Sequence, residues 1–243
     1  MTIADKAVLI TGANRGIGQA LVEEALRRGA TRVYAGTRQP LAHSDGRVTP
    51  LTLDVTNAAQ IQAAVKGVES LDLLVNNAGL GLYEDVSDRA ALEQQLAVNL
   101  FGPYAVTQAF LPLLIRSRGA IINVLSAAAV AAVPVMPGYS MSKAAAFSLS
   151  QSLRALLAAQ GVTVHVVLSG PVDTDMTRVL DIPKVSPESV AQAIFDGVEN
   201  GQEEIFPDPV SQAWFESWHS GAAKALERQN AALVEAEPAK SRA

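Results

Sequence analysis

Residues 7–18 read Ala7-Val8-Leu9-Ile10-Thr11-Gly12-Ala13-Asn14-Arg15-Gly16-Ile17-Gly18. The apolar, β-branched run predicts a buried strand, and the glycines after it predict a tight turn into a helix. In such a turn the backbone amides approach a pyrophosphate at the helix N-terminus, so it indicates dinucleotide binding. The GxxxGxG spacing differs from the more widespread GxGxxG, and glycines that only permit a tight turn would give the same pattern. The predicted cofactor contacts here are Gly12, Asn14, Arg15, Gly16, Ile17 and Gly18.

The composition of the chain matches a soluble globular enzyme. Of 243 residues, 49% are hydrophobic and 18% are charged, and the net charge is -5 with a pI near 5.2. This charge gives no electrostatic basis for binding nucleic acid or an anionic membrane surface. The chain has no cysteine, and His43, His165 and His219 lack metal-ligand spacing. We therefore predict no metal site.

Two segments bear on targeting and membranes. Residues 1–6 lead directly into the first strand without the features of a secretion signal, which predicts a cytoplasmic protein. Residues 120–138 are apolar and about long enough to span a bilayer. However, Asn123, Ser126, Pro134 and Pro137 favour a buried strand followed by a loop. No membrane association is therefore expected.

Apolar runs alternate with amphipathic stretches along the chain, as in a parallel sheet covered by helices on both faces. We predict strands at residues 7–11, 32–36, 48–54, 71–76, 120–125, 162–168 and 204–206. Helices are predicted at residues 17–28, 58–68, 90–116, 140–159, 187–199 and 210–234. Gly29 is suited to close the first helix, Asn57 to cap the second, and Pro103 to bend the third.

This order of elements predicts an α/β protein with a single Rossmann-fold domain at residues 1–235. Its parallel sheet is expected to be doubly wound, with seven strands in the order 3-2-1-4-5-6-7 and a ligand crevice at their carboxyl ends. About residues 1–120 would form the nucleotide-binding half, and residues 120–235 the catalytic and substrate half. Residues 236–243 are polar or small and are predicted to form a flexible tail.

The end of the second predicted strand bears on cofactor choice. An enzyme that prefers NAD usually places an acid there, but this chain has Thr37 and Arg38. Arg38 and Arg15 could bracket a 2′-phosphate, and Thr37 could add a hydroxyl, so NADP is the predicted cofactor. Two solvated surface arginines remain the alternative. Asp54, followed by Val55, could accept from the adenine amino group or cap the next turn.

Residues Asn77, Ala78 and Gly79 end the fourth predicted strand and are small enough to let the backbone approach a cofactor. A simple strand-to-loop turn is compatible with the same residues. Cofactor contacts are therefore predicted at all three positions.

Ser126, Tyr139 and Lys143 can perform proton transfer. Tyr139 and Lys143 lie four residues apart and so share a helix face, and Ser126 ends the preceding strand. A free tyrosine has a pKa near 10, and the ammonium group, with an oxidised nicotinamide, would favour the phenolate. Tyr139 would then act as the acid in carbonyl reduction and as the base in alcohol oxidation, with Ser126 orienting the substrate oxygen. A YxxxK pair alone is often a solvated helix pair.

Together these motifs resemble the short-chain dehydrogenase/reductase family over nearly the whole chain. Residues 11–18 match its TGxxxGIG motif, residues 76–79 its NNAG motif, and Ser126, Tyr139 and Lys143 its catalytic group. The resemblance implies that Asn99 holds a water that links Lys143 to a proton relay. It also implies oxidoreductase activity and assembly as a homodimer or homotetramer through the helices predicted at residues 90–116 and 140–159.

The resemblance further implies that the Val172 backbone and the Thr174 hydroxyl contact the nicotinamide amide, with Gly170 and Met176 in the same cofactor-binding loop. The family usually has Pro-Gly before this loop. Here Ser169-Gly170-Pro171 places serine in the proline position. A different local loop shape is therefore expected.

Several apolar residues are candidates for the substrate wall, although each could equally belong to the core. They are Leu80, Leu82, Ala127, Val135, Met136, Pro171 and Met176. Their character predicts a hydrophobic ketone or aldehyde and the matching secondary alcohol. Residues 178–185 are too few for a large lid, so an open site is expected. Trp214 and Trp218, predicted on one helix face, could cover the site, join subunits or pack on the chain itself.

Two other functions use the same features. One is reduction of an activated double bond, which is disfavoured because relatives with that activity usually respace the tyrosine and lysine. The other is a regulator that senses NADP without turnover. Such a sensor would need the glycine turn but not Asn99, Ser126, Tyr139 and Lys143.

Overall fold

A computed structural model describes residues 1–39 and 41–236. Seven strands form one sheet in the order β3-β2-β1-β4-β5-β6-β7, and every neighbouring pair is parallel. The strands are β1 (Ala7–Thr11), β2 (Arg32–Thr37), β3 (Val48–Thr52), β4 (Leu73–Asn76), β5 (Ala120–Val124), β6 (Thr163–Val167) and β7 (Glu204–Ile205). The predicted fold class and strand order are confirmed.

Nine α-helices connect these strands or follow them in the described part of the chain. They are α1 (Gly16–Arg27), α2 (Ala58–Lys66), α3 (Arg89–Leu96), α4 (Gly102–Ser117), α5 (Pro137–Leu157), α6 (Pro187–Glu199), α7 (Pro209–Gln212), α8 (Phe215–His219) and α9 (Ala222–Ala236). Alternation along β1 divides the core between the two faces of the sheet. Val8 and Ile10 pack with residues of α1 and α6, whereas Leu9 packs with residues of α2, α4 and α5.

Two predicted helix boundaries are explained by local chemistry. Gly29 follows α1 with φ +87, a left-handed conformation that glycine adopts without steric cost. The Asn57 side chain accepts a hydrogen bond from the Gln60 amide and caps α2. Both predictions are confirmed.

The long helix predicted at residues 90–116 is interrupted. Helices α3 and α4 are joined by a π-helical turn, Ala97–Phe101, and Pro103 is the second residue of α4. Proline has no backbone N–H and therefore disturbs the hydrogen-bond ladder one turn earlier. Residues Arg89–Ser117 are long and apolar enough to cross a membrane by length and composition alone. Val106 and Phe110 have no exposed surface and pack against the sheet, as in the core helix of a globular fold.

The single helix predicted at residues 210–234 is wrong, because this segment forms α7, α8 and α9. The second break falls at Gly221, where a Cβ would lie 2.8 Å from the Ser217 carbonyl oxygen. Trp218 packs edge-on against Phe147 of α5 with ring centroids 5.6 Å apart, and Trp214 is 41% exposed. Trp218 thus packs on the chain itself. Of the predicted flexible tail, residues 237–243 lie outside the described residues.

Candidate active site

A cavity of about 1610 Å³ opens at the carboxyl ends of the strands. Every predicted cofactor-binding residue contributes to its wall, from the glycine turn to the loop after β6, and so do Ser126, Tyr139 and Lys143. Leu80, Met136 and Pro171 line it as well. The structure therefore brings the nucleotide and chemical motifs together around one space.

Leu82, Ala127 and Val135 lie outside this wall. The Leu82 amide is held by Gln95 and the Ala127 amide by the Ser169 carbonyl, while Val135 is 62% exposed in the turn before α5. Three of the seven candidate substrate-lining residues are therefore not at the cavity. Apolar composition alone does not reveal which side of a loop faces inward.

The glycine turn is packed too closely for side chains. A Cβ on Gly18 would lie 2.1 Å from the Gly12 carbonyl oxygen and 2.6 Å from Asn77 Nδ2. Gly12 and Gly16 have φ +67 and +52, which favours glycine at both positions. Asn77 Nδ2 donates to the Thr11 carbonyl at 2.9 Å and so ties β4 to β1. The glycines thus form a tight turn that also lines the cavity, so the residues present fit a dinucleotide there.

Arg38 and Asp54, which follow β2 and β3, both line the cavity. Arg38 is exposed and lies close enough to Asp54 to influence its titration. Hydrogen bonds from the Thr56 hydroxyl and amide, with a smaller effect of Arg38, lower the pKa of Asp54. Asp54 thus caps the next turn, the second of the two roles considered for it, and also lines the cavity. Arg15 Nη1 lies 2.9 Å from Asp175 Oδ2 on the opposite wall.

Ser126, Tyr139 and Lys143 converge on one another. Ser126 follows β5, and its hydroxyl lies close enough to the Tyr139 hydroxyl to lower the pKa of Tyr139. Lys143 Nζ donates to the Val124 carbonyl at 3.0 Å and lies 5.6 Å from the centre of the Tyr139 ring. The helix spacing and the end of β5 together create this group.

Burial moves the pKa values of Tyr139 and Lys143 in opposite directions. It raises the pKa of Tyr139, against a smaller lowering effect of the Ser126 hydroxyl, and it lowers the pKa of Lys143 to about 8. Both shifts arise because burial disfavours the charged form. The expected lowering of the Tyr139 pKa by Lys143 is therefore not found for these residues alone. They favour a protonated phenol at neutral pH, which is the form that donates a proton.

Asn99 is 1% exposed, and both polar atoms of its side chain make hydrogen bonds to protein atoms. Its Nδ2 donates to the Leu80 carbonyl at 2.7 Å and to Ser142 Oγ at 2.9 Å, while its Oδ1 accepts from the Leu80 amide at 2.8 Å. The backbone carbonyl of Asn99 has no donor four residues later, because that residue is Pro103. The backbone carbonyl is therefore the group of Asn99 that suits the water implied by the family resemblance.

The loop after β6 is anchored by a residue that the sequence did not reveal. The Gly170 amide donates to Asp208 Oδ2 at 2.7 Å, and a Cβ on Gly170 would lie 2.7 Å from Asp208 Oδ1. Val172 forms a parallel bridge with Val185, and Thr174 reaches the glycine turn, where a Cβ on Gly16 would lie 3.1 Å from its methyl group. Asp208 lies 38 positions from Gly170, so no local motif connects the two.

Comparison with known proteins agrees with this geometry. The profile of the short chain dehydrogenase family matches residues 6–183. Short-chain dehydrogenase PC-15 of Penicillium crustosum is 42% identical over 182 residues, which cover 70% of this chain and 66% of that protein. Short chain dehydrogenase pigC of Monascus ruber is 34% identical over 196 residues, which cover 72% of this chain and 65% of that protein. The chain thus spans slightly less than two thirds of the length of these fungal relatives.

A solved structure is similar over almost the full length. It is a short chain dehydrogenase from Burkholderia cenocepacia J2315 in complex with NADP, with 37% identity and a TM-score of 0.86, covering 94% of this chain and 98% of that one. NADPH-bound carbonyl reductase from chicken fatty liver has 26% identity and a TM-score of 0.78, covering 84% and 97%. The chain belongs to the short-chain dehydrogenase/reductase family.

Proposed function

We propose that the protein interconverts hydrophobic ketones or aldehydes with their alcohols and prefers NADPH as its reductant. The bound cofactor supplies or accepts the hydride. Tyr139 gives the matching proton to the substrate oxygen in reduction and takes it back in oxidation. The observation that carries this proposal is the contact of Tyr139 with Ser126, beside Lys143, on the wall of the cavity that the glycine turn also lines.

Each neighbour of Tyr139 has a separate part in this chemistry. The Ser126 hydroxyl holds the phenol and can also donate to the substrate oxygen, which becomes more negative as hydride arrives. Lys143, fixed by the Val124 carbonyl, places a cation near the phenol when it is protonated. This charge favours loss of the Tyr139 proton to the substrate.

An apolar substrate is supported by the mouth of the cavity. Four large apolar side chains there line the space and are also exposed: Tyr83 at 47%, Val133 at 39%, Met176 at 37% and Ile182 at 45%. Met136 and Met176 also meet at Gly81, where a Cβ would lie 3.0 and 3.1 Å from their side-chain atoms. Flexible methionines adapt to irregular apolar surfaces. The substrate would bury these groups on binding.

The preference for NADPH is supported by charge at the end of β2. Thr37 and Arg38 line the cavity there, and no carboxylate occupies the end of this strand to repel a 2′-phosphate. Arg15 also lines the cavity, where its guanidinium pairs with Asp175. The similar structures from Burkholderia cenocepacia and chicken contain NADP and NADPH.

Tyr139→Phe tests the proposed proton transfer. With NADPH and a panel of aryl, alkyl and steroid-sized ketones, we expect turnover by the wild type and a loss of about 10²-fold or more in kcat for the variant. NADPH affinity should stay within about twofold, because the hydroxyl is the only group removed. Tyr83→Phe is the matched control, since it removes a hydroxyl from the same cavity without touching Ser126. Retained turnover in Tyr139→Phe would refute the role of Tyr139.

The panel also separates the alternative functions. NADPH binding without turnover of any compound would favour a sensor. Turnover restricted to activated enones would favour double-bond reduction.

Arg38→Ala tests cofactor choice. Loss of a charge-assisted bond worth about 1.5–3 kcal/mol should lower kcat/KM for NADPH by about 10- to 150-fold. The value for NADH should change by about twofold at most. Arg32→Ala, which removes an exposed arginine from the other end of β2, is the control. Equal losses with both cofactors would show that Arg38 does not read the 2′-phosphate.

We also propose assembly as a homodimer or homotetramer through α4 and α5 and the turn before α4. Phe101 and Tyr104 are 60% and 48% exposed at α4, and Met141 and Leu156 are 42% and 45% exposed on α5. Large apolar side chains exposed on neighbouring helices are typical of subunit interfaces. Light scattering after size-exclusion chromatography should give a mass of two or four chains, and a monomer mass would contradict the proposal.

A further inference from the structure

The first turn of α5 carries Tyr139 but has no local cap. Its N-cap residue is Met136, whose side chain makes no capping hydrogen bond, and its first residue is Pro137, which has no N–H to donate. The Gly138 amide, next to Tyr139, donates instead to Glu84 Oε1 at 2.6 Å. The acceptor for this helix end therefore comes from a loop 54 positions earlier in the chain.

The Gln95 side chain binds the backbone of the same loop. It has no exposed surface, and its Oε1 accepts from the Leu82 amide at 3.0 Å. A Cβ on Gly138 would lie 2.7 Å from Gln95 Nε2 and 2.8 Å from Glu84 Oε1. The two side chains thus converge on the residue before Tyr139, and only glycine fits between them.

This arrangement leaves two buried polar atoms without a partner. Within residues 1–39 and 41–236, Glu84 Oε2 and Gln95 Nε2 are buried and make no hydrogen bond. Unpaired buried polar atoms reduce stability and are uncommon. Both side chains border the first turn of α5, which carries Tyr139.

We propose that Glu84 is a positioning residue, which caps α5 from a distance and so fixes the phenol of Tyr139 against the substrate oxygen. A carboxylate at a helix N-terminus is favoured by the helix dipole as well as by the hydrogen bond. Leu80 and Tyr83, on the same loop as Glu84, line the cavity. Through Glu84 the substrate-facing loop and the proton donor are held as one unit. This inference rests on the proposed role of Tyr139 as the acid.

Glu84→Ala, Glu84→Gln and Asp85→Ala test the inference. Glu84→Ala should lower kcat for ketone reduction by about 10- to 100-fold, because a displacement of about 1 Å at a reacting group has effects of this size. Glu84→Gln keeps an oxygen acceptor for the Gly138 amide and should restore kcat to within about threefold of wild type. Asp85→Ala is the matched control, since the Asp85 carboxylate accepts from the amide and the hydroxyl of Ser87 in its own loop. The KM for NADPH should be unchanged in all three.

Rates are to be expressed per NADPH-binding site, so that misfolded protein does not count as lost catalysis. Hydrogen exchange of the amides of residues 138–140 gives a second readout that does not depend on turnover. Exchange should be at least tenfold faster in Glu84→Ala and unchanged in Asp85→Ala. If Glu84→Ala does not fold, Glu84→Asp, which keeps the charge on a shorter side chain, should show the same loss of kcat and faster exchange.

The outcomes separate this inference from the proposed function. A wild-type protein that reduces no carbonyl compound would refute the proposed function, and the exchange measurement would still decide whether Glu84 caps α5. An active wild type with normal kcat in Glu84→Ala, or in Glu84→Asp where Glu84→Ala does not fold, would overturn the inference, and so would equal losses in Glu84→Ala and Asp85→Ala.

Discussion

Replacing Lys143 with methionine should greatly lower activity and yet leave the protein at least as stable at pH 7. Lys143 is 5% exposed, and burial lowers its pKa from the ordinary value of 10.5 to about 8. At neutral pH the charged form of Lys143 is therefore less stable in the folded protein than in the unfolded chain. Methionine has a similar length and no charge, so it fills the same space without that penalty.

The size of the effect follows from the pKa shift and from one hydrogen bond. A pKa that falls from 10.5 to about 8 corresponds to about 3 kcal/mol of unfavourable free energy for the charged form at pH 7. Removing the ammonium leaves the Val124 carbonyl, its acceptor at 3.0 Å, without this partner, which costs about 1–3 kcal/mol. The free energy of unfolding of Lys143→Met at pH 7 should thus lie between that of the wild type and about 2 kcal/mol above it.

The pH dependence gives the sharper test. The folded pKa of Lys143 is lower than the unfolded one, so between about pH 8 and 10.5 the folded protein binds fewer protons than the unfolded chain. The stability of the wild type should therefore rise relative to Lys143→Met as the pH increases through this window. The expected relative gain between pH 7 and pH 9 is about 1.3 kcal/mol.

Urea unfolding of both proteins at pH 7, 8 and 9, followed by circular dichroism, measures this difference. Subtraction removes the titration of groups that the two proteins share. A difference that stays constant from pH 7 to 9 would refute the depressed pKa. A wild type that loses stability relative to the variant would show that the buried ammonium is net favourable.

Two other substitutions test contacts elsewhere. Gly18→Ala would place a methyl group 2.1 Å from the backbone oxygen of residue 12. We therefore expect NADPH affinity, measured by fluorescence titration, to fall by about 100-fold or more. Unchanged affinity would contradict the packing of the turn. Lys224, 1% exposed, donates at 2.8 Å to Glu204, which has no exposed surface. Lys224→Ala should therefore lower the free energy of urea unfolding by about 3–5 kcal/mol, and a loss below about 1 kcal/mol would show that Arg154 alone neutralises Glu204.

The sheet was predictable because each strand can be recognised from a short run of consecutive residues. Doubly covered parallel strands are continuous apolar runs, and β1 and β5 have no exposed residue along their length. Short-range signals such as Gly29 and Asn57 fixed helix boundaries for the same reason. The catalytic group was predictable because helix spacing places Tyr139 beside Lys143 and the end of β5 supplies Ser126.

The missed features depend on contacts between distant parts of the chain. Asp208 holds Gly170, and Glu84 holds Gly138, across 38 and 54 positions with no spacing rule. The substrate wall was only partly predicted, because an apolar loop residue such as Val135 can face solvent as easily as the cavity. The breaks between α7, α8 and α9 were missed because amphipathic periodicity continues across them, and Gly221 alone is a weak signal.

The opposite pKa shifts of Tyr139 and Lys143 bear on the direction of catalysis. Burial favours the neutral phenol and the neutral amine, so the residues alone hold the proton on Tyr139, ready for reduction. Oxidation requires the phenolate and therefore needs positive charge near the ring. Lys143, with a pKa of about 8, supplies that charge only while it is protonated, and an oxidised nicotinamide brings a second one. In the proposed reaction, the charge of the bound cofactor would therefore decide which form of Tyr139 is favoured.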